Sequence, residues 1–284
     1  MNAKTDSILT PDAITLKAPV ASQLEPFRLV QEGVVEAVAE LEREIDRHYY
    51  IERLWRLTGL RSRTARTAKL KYDKIAGQYQ EAEAQLSQED KMLAFVGDEI
   101  WFISKSAYLS YYRRALASMI AGLGAGRILE VGAGEMNTLL PVIRLLGDRA
   151  EVAVALDISA KRLAVGRRLD EHQRISLCVA ANADRMPFPD KSFDIVFTSH
   201  CLEQSPELVL EAITEFSRVA RKYILLAEPA YELAHSLQRR RIRKLGYARG
   251  ICSSARRLGF NVVSHQLFPV RAYVNGTALT LIAL

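Results

Sequence analysis

Arg127-Ile128-Leu129-Glu130-Val131-Gly132-Ala133-Gly134-Glu135-Met136-Asn137-Thr138-Leu139-Leu140 is the stretch whose reading decides the fold. Ile128, Leu129 and Val131 make an apolar run of the kind that forms a buried strand. Gly132 and Gly134 permit a tight turn and let a ligand approach the backbone. A helix is expected to start near Asn137 or Thr138, with its free N–H groups and positive dipole end facing whatever sits on the turn. The dinucleotide fingerprint G-x-G-x-x-G would need a glycine at 137, where this chain has Asn137. Alone, the stretch also allows a purely structural turn, the lesser of the two readings.

Working outward, strand-like and helical runs alternate. Val152–Leu156, Ile175–Ala180, Phe193–Thr198 and Tyr223–Ala227 read as further strands, with helical runs around 138–146, 160–169 and 206–218. Strands separated by helices imply right-handed crossovers and a parallel sheet. Phe260–His265 and Ala278–Ala283 are strand-like with no helix between them, so they are expected to pair antiparallel. The predicted fold is α/β: a Rossmann-like, mostly parallel seven-stranded sheet with an antiparallel C-terminal hairpin and an N-terminal helical extension.

The N-terminal part reads differently. Residues 1–25 are expected to be irregular. Val34, Val38, Leu41 and Ile45 lie on one stripe of a long helix that runs on toward Leu57 and Gly59. That stripe must pack on a partner subunit, giving a homo-oligomer, or on the main domain. Residues 62–93 read as polar and helix-prone, and Phe95 to Met119 as a helical region rich in aromatics.

The 284-residue chain is 49% apolar and 25% charged, as expected of a globular protein. No stretch reaches eighteen apolar residues, and Met1 to Pro26 lacks an apolar signal core, so a cytoplasmic protein without a membrane span is expected. Cys178, Cys201 and Cys252 show no metal-ligand spacing, and no metal is expected. The net charge of +6 is uneven. Arg53–Lys74 and Leu233–Gly259 together carry +15, leaving −9 for the rest. Such a split marks either an anionic partner or two solvated helix faces.

Several motifs resemble the class I S-adenosylmethionine-dependent methyltransferases, most closely their small-molecule, ubiquinone/menaquinone-type branch. Glu130-Val131-Gly132-Ala133-Gly134 is similar to that family's acidic-x-G-x-G-x-G motif, with Met136 at the third glycine. Ala155-Leu156-Asp157-Ile158-Ser159 is similar to its second motif, where an acid closes the second strand. The run from Ala183 to Val196 resembles "D-x-x-x-L-P-F-x-D-x-S-F-D-x-V", with Met186 in the leucine place. Tyr72–Tyr79 resembles the upstream "F-D-x-x-A-x-x-Y" segment. The resemblance covers roughly residues 70–284 and implies a methyltransferase domain over 66–284 behind the extension of residues 1–65.

The resemblance implies S-adenosyl-L-methionine as cofactor, with S-adenosyl-L-homocysteine as product. The turn Gly132, Ala133 and Gly134 would hold its amino-acid end, with Glu130 near its amino group. Asp157 would accept both ribose hydroxyls, since an ionised carboxylate offers only acceptors. A role for Asp157 as a helix cap stands beside this. Ile158 would flank the adenine, Asp184 would take its amino group, and the backbone of Arg185 or Met186 would read its ring nitrogen. Ser199 would lie beside the sulfonium and Tyr79 would close over the cofactor. Met136 is expected to crowd the turn. His200 is the best-placed general base, and Glu228 at the end of the fifth strand is a second candidate. Glu203 and His235 are weaker ones.

A small or medium-sized acceptor, anionic if the basic segments face it, is the expected substrate. Nucleic acid is a disfavoured partner, since no base-methylation motif or RNA-binding module is found. A nucleic-acid methyltransferase and a non-catalytic binding protein remain the alternatives.

Overall fold

The computed structural model describes residues 16–17, 19–57, 65–87 and 89–284, and side chains at all of these except 21, 46–57 and 65–66. In chain order the elements are α1 (Ala21–Leu24), α2 (Val34–Leu57), α3 (Ala65–Lys74), α4 (Gln78–Ala84), β1 (Lys91–Val96), β2 (Glu99–Ser104) and α5 (Lys105–Gly122). Then follow β3 (Arg127–Val131), α6 (Leu139–Leu146), β4 (Val152–Asp157), α7 (Ala160–Arg168), β5 (Leu177–Ala180), β6 (Phe193–Ser199), α8 (Val209–Val219) and β7 (Ala220–Pro229). The chain closes with α9 (Ser236–Leu245), α10 (Ile251–Arg257), β8 (Asn261–Leu267), β9 (Val270–Ala272) and β10 (Thr277–Ala283).

The main sheet has the order β5-β4-β3-β6-β7-β10-β8. The first five strands are parallel, and β10 runs antiparallel to both of its neighbours. This is the seven-stranded sheet with an antiparallel C-terminal hairpin that the alternation predicts. The strand order reverses at β3, so a crevice opens beyond the carboxyl ends of β3 and β6. One face of the sheet carries Leu116, Ile120, Leu139 and Ile143, all essentially inaccessible. The other carries Ile213, Phe216 and Ala255.

At the opposite end of the strands, Asp194 fastens β6 to β3. Its Oδ2 accepts the Gly126 and Arg127 N–H groups at 3.1 and 2.9 Å, and its Oδ1 pairs with the Arg221 guanidinium. Burial raises the Asp194 pKa, but the Arg221 bond and the two N–H groups outweigh it and hold the carboxyl below its ordinary value.

Two expectations change. Residues 91–104 are an antiparallel hairpin, not helix, so Trp101 and Phe102 lie on β2, ahead of α5. The signal was present: Gly97-Asp98 separates two apolar runs, a two-residue hairpin turn, and Gly97 has φ +62°. The polar stretch before it holds α3 and α4, but its last residues, Lys91–Leu93, already belong to β1. The hairpin forms a second sheet, ordered β2-β1-β9, whose third strand is lent by the loop between β8 and β10.

The α2 stripe packs within its own chain. Val34, Ala37, Val38, Leu41 and Ile45 meet Leu93, Phe95, Leu237 and Tyr273. That face is therefore not available to a second copy. The continuation of the stripe toward Leu57 and Gly59 lies outside the described side chains, as do most of residues 1–25. No helix among the described residues is long and apolar enough to cross a membrane.

Replacing Asp194 by Asn should lower stability at pH 7 by about 1–3 kcal/mol, because a charge-assisted bond is lost. A depressed carboxyl stabilises fully above its unfolded pKa, near 3.9, and less as pH falls through the folded value. Urea denaturation at pH 7 and pH 3 checks this. The gap between wild type and Asp194→Asn should narrow at pH 3, and equal midpoints at pH 7 would contradict the assignment.

Candidate active site

The turn after β3 is built as its glycines require. The Gly132 and Ala133 N–H groups both donate to the Leu156 carbonyl, at 2.8 and 2.9 Å, curling the turn over the end of β4. Gly132 and Gly134 have φ of +77° and +54°. A Cβ on Gly132 would overlap the Cys201 thiol, and one on Gly134 would overlap the Arg162 guanidinium.

Met136, at the motif's third glycine place, has φ +61° and is 1% exposed. A side chain in that conformation costs about 1 kcal/mol. The expected crowding of the turn is absent: the side chain is buried among the core residues under β3 and against Gly166. The backbone keeps the glycine conformation, and burial of the thioether offsets the strain.

Asp157 ties the turn to the next helix. Its Oδ2 accepts the Gly134 N–H and its Oδ1 the Ser159 N–H, both at 2.8 Å. The capping role belongs to Ser159, whose hydroxyl accepts from Arg162 N. Each Asp157 oxygen keeps a second lone pair for a ligand hydroxyl. Burial raises the Asp157 pKa above its ordinary value, against the Ser159 and Gly134 hydrogen bonds and the Arg162 charge.

Glu130 lies behind the turn, essentially inaccessible. It accepts the Leu139 N–H, so the start of α6 is satisfied by the protein and not left for a ligand. Burial pushes its pKa up to about 8. Its Oε2 is buried without a partner. A buried polar oxygen without a partner costs about 1–3 kcal/mol.

A cavity of about 440 Å³ runs over the ends of β3, β4, β5 and β6. Of the residues expected from the sequence, Gly132, Asp157, Ile158 and His200 line it. Asp184, Arg185 and Met186 do not. The Met186 N–H is taken by Glu215 at 2.7 Å and the Arg185 N–H by the Asn182 carbonyl at 3.3 Å, so neither is offered to a ring nitrogen. Ala181, Asn182 and Ala183 line the wall instead. Counting back four places from Met186 in "D-x-x-x-L-P-F" gives Asn182, so the motif's own spacing selects the residue that the cavity selects.

Ser199 is not in the lining; its hydroxyl bonds Tyr112 at 2.8 Å and Thr138 at 3.4 Å. Tyr79 is 49% exposed and covers Arg162 from outside, while Tyr72 is the tyrosine that faces the cavity. Glu228 is buried with both oxygens occupied, by Cys201 N at 2.9 Å and Glu203 N at 3.2 Å. It fixes the loop after β6 and does not face an acceptor. His235 stands at the N-terminus of α9, against Phe95 and outside the lining.

His200 has φ +56°, a left-handed kink that ends β6 and turns the ring into the cavity. Nδ1 lies 3.0 Å from Glu203 Oε2 and Nε2 lies 3.2 Å from Thr277 Oγ1. Burial pulls the imidazole pKa down, but the charge and hydrogen bond of Glu203 and the charge of Glu228 overcome it, leaving it raised. With Nδ1–H donated to Glu203, Nε2 accepts from the Thr277 hydroxyl, so both ring nitrogens are held within the protein.

The roof is α3 and α4. Thr67, Ala68, Lys71 and Tyr72 close the cavity from above. Glu135 fastens this roof to the turn: its Oε1 accepts Gly77 N at 3.0 Å and its Oε2 accepts Gln80 N at 2.9 Å. Asp73 accepts the Ser159 hydroxyl at 2.6 Å, and Tyr72 hydrogen-bonds Gln204. Leu245 and Tyr247, just beyond the basic run of α9, form part of the rim.

Residues 129–225 match a family model described as a methyltransferase domain. Over that segment the chain is similar to methyltransferases. The ubiquinone/menaquinone biosynthesis C-methyltransferase UbiE of Vibrio parahaemolyticus is 38% identical over 79 residues, 27% of this chain and 30% of that one. The UbiE of Hahella chejuensis is 35% identical over 105 residues, 36% and 41% of the two chains. The matches thus span about a third of the length of these curated relatives. Among solved structures, the [4+2]-cyclase SpnF aligns with a TM-score of 0.55 at 15% identity, over 78% of this chain and 96% of that one. At that identity the likeness shows a shared fold alone, one that in SpnF serves a cyclase.

The pairing of His200 with Glu203 gives a direct test. An NMR titration should place the His200 imidazole above the ordinary value of about 6.5. In Glu203→Gln the pKa should fall, since burial then acts against one carboxylate fewer. An unchanged value would mean that the pair does not form.

Proposed function

We propose that the protein transfers a methyl group from S-adenosyl-L-methionine to a small or medium-sized molecule. The observation that carries this reading is one cavity bringing together the Gly132 turn, Asp157, Ile158 and Asn182 at successive strand ends. Its volume lies within the usual range for small-ligand sites, about 300–1,000 Å³.

The residues fit an adenosyl group. Asn182 offers both a donor and an acceptor to an adenine edge. Ile158 and Leu202 supply apolar faces. Asp157 has two lone pairs for the ribose hydroxyls. When bound, the donor supplies an electrophilic methyl group on a charged sulfur, so the protein's task is to align the two reactants and keep water out. The α3–α4 roof supports the second task. His200 Nε2 would accept a proton from an acceptor hydroxyl or activated carbon once its hydrogen bond with Thr277 is released, with Glu203 holding the ring and balancing the charge.

The electrostatics support an anionic acceptor. Lys71 lines the cavity, and Leu245 and Tyr247 continue the cationic helix containing Arg239, Arg240, Arg241, Arg243 and Lys244. Arg241 lies over the Tyr247 ring, 5.6 Å from its centroid. A soluble protein confined to the cytoplasm agrees with the lack of an apolar spanning helix among the described residues.

Calorimetry should show S-adenosylhomocysteine binding to the wild type, and Asp157→Ala should weaken it by about tenfold or more, the scale of a lost charged hydrogen bond. Failure of the wild type to bind at millimolar ligand would end the enzyme reading. Once an acceptor pair differing only in a carboxylate or phosphate is available, kcat/KM for the anionic member should fall more steeply between 0.05 and 0.5 M salt, because screening weakens the attraction. Equal salt dependence for the two would remove the anionic part of the proposal.

A further inference from the structure

Arg162 is the most unusual group in the cavity wall. It is the third residue of α7, and its guanidinium lies between two tyrosines, 5.2 Å from the Tyr72 ring centroid and 4.8 Å from that of Tyr79. It rests on the glycine turn so closely that a Cβ at 134 would meet the guanidinium where it lies. Its side chain is 13% exposed, and its Nε is buried without a hydrogen-bond partner.

The neighbouring carboxylates do not satisfy it. Glu135 Oε1 is 3.6 Å from Nε and Asp157 Oδ2 is 3.9 Å from Nη1, beyond hydrogen-bond range. Both acids are committed elsewhere, Glu135 to the Gly77 and Gln80 N–H groups and Asp157 to those of Gly134 and Ser159. They hold the guanidinium by charge and leave its donor fork unmatched. A buried donor without an acceptor is costly, and a planar fork is matched best by a carboxylate, which takes two parallel N–H bonds. The tyrosine rings fix the plane of the fork and remove the freedom that a lysine would have to lose.

We propose that Arg162 is a specificity-determining residue that reads the carboxylate at the amino-acid end of the methyl donor. This rests on the donor site proposed above. It divides that site into an adenosine half, held by Asp157, Ile158 and Asn182, and an amino-acid half, held by Arg162 together with the turn.

Calorimetry with two probes separates the halves: S-adenosylhomocysteine, which has the carboxylate, and 5′-methylthioadenosine, which lacks the amino-acid group. Arg162→Met should weaken S-adenosylhomocysteine by about tenfold or more, the scale of a charge-assisted bidentate pair, and weaken 5′-methylthioadenosine far less, through the lost charge beside Asp157 alone, the retained binding showing that the variant is folded. Arg162→Lys, which keeps the charge and loses the fork, should fall between. Equal losses for both probes would make Arg162 a structural residue and overturn the proposal. Unchanged or tighter S-adenosylhomocysteine binding in Arg162→Met would overturn it too. A wild type that binds only 5′-methylthioadenosine would refute the carboxylate contact while keeping the adenosine half. A wild type that binds neither probe would remove the donor site itself, and Arg162's role with it.

Discussion

The Asp157 carboxylate joins the end of β4 to the turn that follows β3 and to the helix that follows β4. Those two hydrogen bonds fix the spacing between adjacent strand ends. Everything else in the site takes its position from that spacing. The Gly132 and Ala133 N–H groups reach back to Leu156 beside it, and Ser159 is placed to cap α7 and to hold Asp73 of the roof. One buried anion thus organises three backbone segments and still has acceptor capacity facing the cavity. Its raised pKa follows from burial and reflects the cost of keeping it there.

The parallel sheet was legible in the sequence because its strands are buried on both faces. Such strands are continuous apolar runs such as Ile128–Val131 and Val152–Leu156, and few other structures produce them in alternation with helices. The β1–β2 hairpin was legible only in its Gly97-Asp98 turn. Lys91–Ser104 is only partly buried, its aromatics do not alternate cleanly, and the strand that completes its sheet lies far away in sequence. A local pattern carries no trace of a partner that distant.

At the site, glycines and acids at strand ends were readable because backbone geometry restricts them strongly. The cavity wall after β5 differs by two residues from the expected one. Asp184 drew attention as an acid, whereas the side chain in the wall is the amide of Asn182. Arg162 could not have been singled out. One arginine in a basic helix carries no local mark, and its role arises only when Tyr72 and Tyr79 fold over it from a segment about eighty residues upstream. Met136 looked like an obstruction because sequence shows a side chain where glycine is usual. It does not show that the side chain leaves by the core side.

The three-stranded sheet also orders events during synthesis. β1 leaves the ribosome with β2 and can pair with it at once, but its other edge stays open until Val270–Ala272 has been made, about 170 residues later. Closing so long a loop costs conformational entropy before any contact repays it. Phe95 and Leu93, on which α2 rests, lie on that waiting strand. The surface on which α2 rests is therefore complete only when the C-terminal part of the chain is present.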